Sequence, residues 1–466
     1  MRENSLPTTT AGTLRPSLAW YLLGVLLIAN VLSFVDRQIL SLLVQPIRAD
    51  LGISDTEISL LQGFAFTVLY SVLGLPLGRY ADHRNRKWLI VCGVVIWSLM
   101  TMACGLADTY GKLFVARIGV GIGEATLAPA AYSMICDAFS ARRRGTALGL
   151  YSSGIYLGIG ASIAIGGFVL AALHGASEVV LPLFGAVRAW QAAFILVGAP
   201  GLLLALILTT VREPARQSGS TRPTTLAETF AYLSRHRTLF GLQLLGYALI
   251  ALAAYGVGTW VPTVFIRSHG WTAAQAGINY GLFVTLLGTL GGLASGALSD
   301  RWLASGRGDA RLMLTIISLA LWLPLLTAGM LAGDSGNALI LLGVAASLSS
   351  MANSLGPTAL HDIVPGWLRG QATALFFFVI NMIGLGVGPT AVALVTDHVF
   401  HDDLALRYSA LVVALPAVIC GGVLLLLARR RYLALRAELA GGSVMPAAPS
   451  TPPAGAGHTV QPAESH

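Results

Sequence analysis

Charge is what this chain has least of. Only 11% of its 466 residues are Asp, Glu, Lys or Arg, while 55% are hydrophobic and the mean hydropathy is +0.74, a balance that cannot solvate the surface of a soluble domain of this length. The four cysteines, Cys92, Cys104, Cys136 and Cys420, show no CxxC spacing, so neither a disulfide framework nor a zinc site is suggested. The chain has no HExxH, no GxSxG and no P-loop, which removes the sequence support for a zinc peptidase, a serine hydrolase or direct nucleotide drive. No small-residue cleavage site follows the first apolar run, which is expected to be retained as a helix.

What the chain has instead is long apolar runs. A membrane-spanning helix needs roughly 20 apolar residues, and such runs lie near 18–44, 58–80, 88–107, 111–136, 145–172, 189–212, 237–266, 275–300, 311–332, 336–361, 370–399 and 407–430. They predict an all-α membrane protein with twelve spans. A basic connection broken by Pro, Gly and Ser at 213–236 divides them into six-span halves at 18–212 and 237–430, flanked by a polar segment at 1–17 and a Pro- and Ala-rich tail at 431–466 that is expected to be disordered. With the amino terminus placed in the cytoplasm, 22 of the 29 lysines and arginines fall in loops on that side, five on the other and two inside spans. That bias predicts cytoplasmic termini. The net charge of +8 is then a topology signal and no sign of nucleic acid.

The halves repeat one plan. After span 4 the chain reads DAFSARRRGTALGLY from Asp137, and after span 10 DIVPGWLRGQATALFF from Asp362, so that Asp137/Asp362, Arg144/Arg369, Gly145/Gly370 and Ala147/Ala372 recur at one offset. GRYADHRNRK from Gly78 and GALSDRWLASGR from Gly296 form a second pair. Parallel halves of this kind are a transporter design with the substrate site between them. GRYADHRNRK also resembles the loop signature of the major facilitator superfamily, with Asn85 in place of its glycine, and RIGVGIGEATLAPA from Arg117 resembles that family's fourth-helix signature. The Asp36-Arg37 pair, GIGEA at 121–125, the Asp137 loop and AWQAAFILVGAPGLLLALI from Ala189 resemble the Spinster branch, although Gln191 stands where an arginine is expected. The resemblance implies two pseudo-symmetric six-helix bundles working by alternating access.

Ionisable residues within spans are costly and mark function by default. Four stand out: Asp36, Arg37, Arg117 and Glu124. Arg117 and Glu124, seven residues apart, share a helix face, and since the resemblance implies that helices 1 and 4 line the cavity, all four charges are expected on one wall. Glu124 and, second to it, Asp36 are the candidates for the coupling proton, against a fixed network that only holds the two helices together. Arg37 and Arg117 are candidates for an anionic substrate group, or each only neutralises an acidic neighbour. The second half has no comparable charges, and Tyr255, Trp260, Asn353, Phe377 and Asn381 are the residues there that would complete a substrate wall, most span aromatics being packing or lipid-facing residues.

Glycines at four-residue spacing, Gly74/Gly78, Gly154/Gly158, Gly288/Gly292/Gly296 and Gly384/Gly388, suit sliding or static helix contacts. The resemblance implies a cytoplasmic gate of ion pairs from Asp82, Arg86 and Lys87, from Asp137 and Arg144, and from Asp300 and Arg301, while a solvated loop is the simpler reading of the arginine run. The expected protein is a monomeric, proton-coupled secondary transporter of the plasma (inner) membrane, moving an amphipathic or anionic small molecule, with no cofactor or metal and no nucleic-acid partner. Lysophospholipids or phosphorylated sphingoid lipids are the substrates the Spinster resemblance implies. The alternatives are a multidrug or organic-acid transporter without lipid substrate and, from another class, an integral-membrane lipid-processing enzyme.

Overall fold

The computed structural model describes residues 15–173, 178–216 and 226–440. Span 1 is a helix over Pro16–Leu42 and turns at Leu43 into a short helix, Val44–Leu51, closed by left-handed Gly52. Span 2 is broken at Gly63 into Asp55–Gln62 and Phe64–His83, and span 4 into Tyr110–Glu124 and Leu127–Ala138. Spans 3, 5 and 6 are Arg86–Cys104, Ala141–Ala172 and Ala189–Thr210. Spans 7 to 11 run Arg237–His269, Ala273–Ala304, Ala310–Leu331, Ser335–His361 and Arg369–Phe400, and span 12 is Leu406–Ala440. Eleven helices among the described residues are long and apolar enough to cross a membrane, and the twelfth, span 5, is one continuous helix over Ala141–Ala172 that begins with Arg142 to Arg144 and is apolar from there on.

Side-chain caps fix several helix starts. Ser54 and Glu57 form a capping box at span 2, and Asn85, Thr109 and Asp334 accept the free backbone N–H groups of spans 3, 4 and 10. Three elements depart from the expected boundaries. Leu226–Arg235 inside the connection is helical, span 12 stays helical over 431–440 where a disordered tail was expected, and the loop between spans 5 and 6 is a hairpin of β1 (Glu178–Leu181) and β2 (Gly185–Arg188). The connection at 217–225 and the tail at 441–466 lie outside the described residues. Tyr232 of the connection helix donates to the Ile363 carbonyl at 2.8 Å, and burial pushes its phenol up to about 12, so it stays a donor.

Spans 1 to 6 and 7 to 12 form two bundles. They meet where span 5 packs on span 8 and span 2 on span 11. The crossing is closest at glycine: a Cβ at Gly63 would lie 2.5 Å from the Leu385 carbonyl, and one at Gly277 would lie 2.5 Å from Gly167. The glycines at four-residue spacing, for which sliding or static contact was expected, take different positions. Gly154 and Gly158 seat Leu27 and Phe34 of span 1, Gly384 and Gly388 receive span 7, and Gly74 and Gly296 face open space. Contact is thus tight towards the face that carries the hairpin, the far face, while towards the face that carries the ends of spans 6 and 12, the terminal face, no described residue comes within 4 Å of a Cβ at Gly74 or Gly296. Spans 8 and 11, both at the bundle boundary, contain π-helical turns at Ala276–Tyr280, Val284–Gly288, Asn381–Leu385 and Thr396–Phe400, a local widening common at functional positions.

Candidate functional site

Adjacent residues on a helix point about 100° apart, so Asp36 and Arg37 cannot serve the same surface. Arg37 reaches a cavity within the first bundle, on its side towards Tyr255 of the second, and its Nη2 donates to Glu124 Oε2 at 2.5 Å. Its guanidinium lies 4.2 Å from the Phe66 ring centroid, 5.0 Å from Phe34 and 5.3 Å from Tyr70, an aromatic cage that suits a cation. Beside it is a small cavity of about 80 Å³ bordered by Asn30, Ser33, Glu124, Tyr132 and Tyr151. The space accepts a carboxylate- or phosphate-sized group.

Asp36 and Arg117 lie behind this wall. Arg117 is fully buried and donates through Nη1 to the backbone carbonyl of Asp36 at 3.1 Å and through Nε to that of Leu61 at 3.3 Å. Leu61 sits just before the Gly63 break of span 2, so Arg117 ties spans 1, 2 and 4 together by carbonyls. It offers the cavity no face. Asp36 is buried beside Thr101 and Trp97 of span 3, and its Oδ1 makes no hydrogen bond among the described residues. The expectation of four charges on one wall is therefore corrected to two, Arg37 and Glu124, because the seven-residue spacing sets a helix face and not the direction of a long side chain.

In the second bundle Tyr255 faces Arg37. Trp260 does not: it is fully buried, and its Nε1 donates to the Pro389 carbonyl at 3.0 Å, stitching span 7 to span 11. Asn353 turns its Nδ2 back to the Ser349 carbonyl at 2.9 Å, Phe377 stacks edge-on against Phe376 and is otherwise exposed, and Asn381 opens the π-helical turn of span 11.

Among the described residues, Arg86, Lys87 and Arg311 at the terminal face bond to partners in their own bundles. Arg86 donates from its backbone and Nε to Glu213 at 3.0 and 3.1 Å, to Ser133 at 3.0 Å, to the Pro214 carbonyl at 2.8 Å, and to Asp137. Its counterpart Arg311, at the offset that relates Asp137 to Asp362, donates to Asp362 and to the Thr358 carbonyl. Lys87 donates to the Thr209 carbonyl in the same bundle at 3.2 Å, Asp300 and Arg301 are exposed at the end of span 8, and Arg144 opens span 5. The Asp82 side chain lies outside the described residues.

Among the described residues, ion pairs bridge the bundles at the far face. Arg267 of span 7 grips Asp55 of span 2 with both Nη atoms, at 2.6 and 2.7 Å. Arg48 approaches Asp55 at 3.2 Å and donates to Asp403 at 2.7 Å, while Asp397 of span 11 accepts from Thr56 N and Oγ1, both at 2.7 Å. Asp55 is fully buried. This far-face lock escaped sequence reading because charged residues at span ends are ordinary. The one signal for it was Asp55 directly inside the SDTE cap.

The sequence profile of the Major Facilitator Superfamily matches residues 26–315. An MFS-type efflux pump of Mycolicibacterium smegmatis is 32% identical over 440 residues, covering 92% of this chain and 97% of its own. The protein spinster of Drosophila melanogaster is 24% identical over 395 residues, covering 82% and 62%. A bacterial homologue of the human lysosomal transporter Spinster, solved in an inward-facing, unoccupied conformation, superposes with a TM-score of 0.72 at 25% identity, covering 93% of this chain and all of that one. The twelve spans in two bundles, the charged wall of the first and these likenesses agree: the chain belongs to the major facilitator superfamily of membrane transporters, with Spinster-like proteins among its relatives.

Proposed function

We propose that the protein is a proton-coupled transporter of an amphipathic or organic anion, with both termini in the cytoplasm. The observation that carries this reading is the Arg37–Glu124 pair, alone in an aromatic-lined wall with the other two span charges sealed behind it. Breaking a buried ion pair costs about 3–5 kcal/mol when one partner is left uncompensated. An anion that takes Arg37 releases Glu124 at the moment when protonation is the cheapest way to neutralise it, so anion and proton enter together. Asp36, buried behind the wall, is the second carboxylate able to hold a proton.

Phe34, Phe66, Tyr70 and Tyr255 around the pair favour a substrate with an apolar portion next to its acid. Among the relatives, the probable L-galactonate transporter of Escherichia coli, 29% identical over 297 residues and covering 61% of that protein, makes a sugar acid the smaller alternative. The efflux-pump relative supports a second reading, export of mixed amphipathic compounds. With cytoplasmic termini, the lock at the far face and the open space at Gly74 and Gly296 among the described residues support the inward-facing state.

Uptake into proteoliposomes of a lysophospholipid and of a sugar acid, with and without a pH gradient, tests the proposal. The wild type should accumulate one of them only when the gradient is present, and Glu124→Gln should lose the gradient dependence. Gradient-driven transport by Glu124→Gln at the wild-type rate would sink the coupling role.

A further inference from the structure

The hairpin between spans 5 and 6 is made of residues that do not belong in water. Its strands pair from Glu178↔Arg188 at the base to Leu181↔Gly185 at the tip, and the nine residues between that charged base pair, VVLPLFGAV, carry no charge. Val180 is 78% exposed and Leu183 is fully exposed, and Leu183 holds a left-handed φ of 77°. A branched residue seldom adopts that conformation. Among the described residues nothing covers the side chain that the turn presents.

The surroundings indicate what does. Phe168, four residues before the end of span 5, and Leu196, two turns into span 6, are likewise exposed apolar residues on the membrane-spanning helices next to the hairpin, where such side chains face lipid. β2 runs without a break into span 6, since Arg188 is the residue that precedes its first turn. A four-residue strand extends only about 13 Å, so a tilt towards the bilayer brings the tip into the interfacial zone.

We propose that the hairpin is an interfacial anchor whose apolar tip, Val180 to Phe184, inserts into the lipid leaflet at the far face. The partner is the bilayer itself. The base of the anchor is tied to the far-face lock: Arg188 donates to Asp50, Trp190 Nε1 donates to the same carboxylate at 2.9 Å, and Asp50 shares the short helix Val44–Leu51 with Arg48. The anchor fixes the height of that helix against the membrane, and the second bundle moves relative to it when Arg48 exchanges partners.

Leu183→Cys and Val180→Cys, each with the exposed Cys92 and Cys420 replaced by alanine, can be labelled with an environment-sensitive fluorophore and reconstituted in liposomes. Asp108→Cys, at an exposed far-face loop position, is the aqueous control. Labels at 180 and 183 should emit at shorter wavelength than the label at 108, be quenched at least twofold by lipids carrying a nitroxide near the headgroup, and resist aqueous iodide. Iodide quenching equal to that at 108, with no effect of the nitroxide lipid, would overturn the proposal. So would a blue shift that vanishes on diluting the protein in lipid, which would make the tip a contact between copies.

Discussion

The two ends of the molecule use the same residue types to opposite effect. At the far face, arginines reach from one bundle to the acids of the other, Arg267 to Asp55 and Arg48 to Asp403. At the terminal face, Arg86 and Arg311 each hold an aspartate of their own bundle, at matching positions of the repeat. A pair that crosses the parting surface must break whenever that surface opens, whereas a pair inside a bundle travels with it as part of a rigid body. Charge at the far face is therefore expected to set which conformation is favoured, and charge at the terminal face how well each half holds together.

The most direct way to break the contrast is Asp55→Asn. In the far-closed state it leaves the nearly buried Arg267 with one carboxylate among the described residues, that of Asp403 at 3.8 Å, beside two neutral acceptors, the Asp403 carbonyl and the Gln45 amide, while in a far-open state water solvates the arginine. Loss of one partner of a buried pair costs about 3–5 kcal/mol, and every 1.4 kcal/mol is about tenfold in population. Since Asp403 retains part of the attraction, a shift of roughly a hundredfold towards the far-open state is expected. Labelling of a cysteine buried at the far-side contact between bundles, for example Thr67→Cys against Gly386, measures it. Unchanged labelling would show that the lock does not bias the equilibrium.

Glycine gives the next contrast. Gly63→Ala pushes a methyl group onto the Leu385 carbonyl in the far-closed state, whereas Gly74→Ala meets nothing within 4 Å. Overpacking against backbone costs about 1–3 kcal/mol, so Gly63→Ala should also move the population towards far-open, by less than Asp55→Asn. Gly74→Ala should leave labelling of the far-side cysteine as it is in the wild type. Equal effects of the two substitutions would show that contact at Gly63 does not hold the closed state.

How legible all this is in the sequence depends on how rare the signal is. A charge in the middle of an apolar run is rare, which is why Arg37 and Glu124 stand out in the sequence itself. A charge at the end of a span is common, so Asp55, Arg48 and Arg267 look ordinary until folding brings three separate ends of chain together. The spans are readable from length and hydropathy, but the break at Gly63 and the π-helical turns of spans 8 and 11 arise from packing between bundles. Residues 179–187 read as a plain connection because four-residue strands have too short a period to register. Trp260 and Arg117 have the right chemistry for a cavity, and only their partners, the carbonyls of Pro389, Asp36 and Leu61, remove them from it.

The smallest effect on the balance of conformations should come from the terminal face, and it is the sharpest test of the comparison. Asp137→Asn removes one charged partner from Arg86 but leaves Glu213, Ser133 and the Pro214 carbonyl in place. Because all of these groups belong to one bundle, the loss is the same in every conformation and cancels from the equilibrium between them. Stability does not cancel: a hydrogen bond to a charged group contributes about 1.5–3 kcal/mol, so the thermal midpoint should fall while far-side cysteine labelling stays at the wild-type level. If Asp137→Asn shifted the labelling as Asp55→Asn is expected to, the Arg86 cluster would be a gate between bundles rather than a clasp within one.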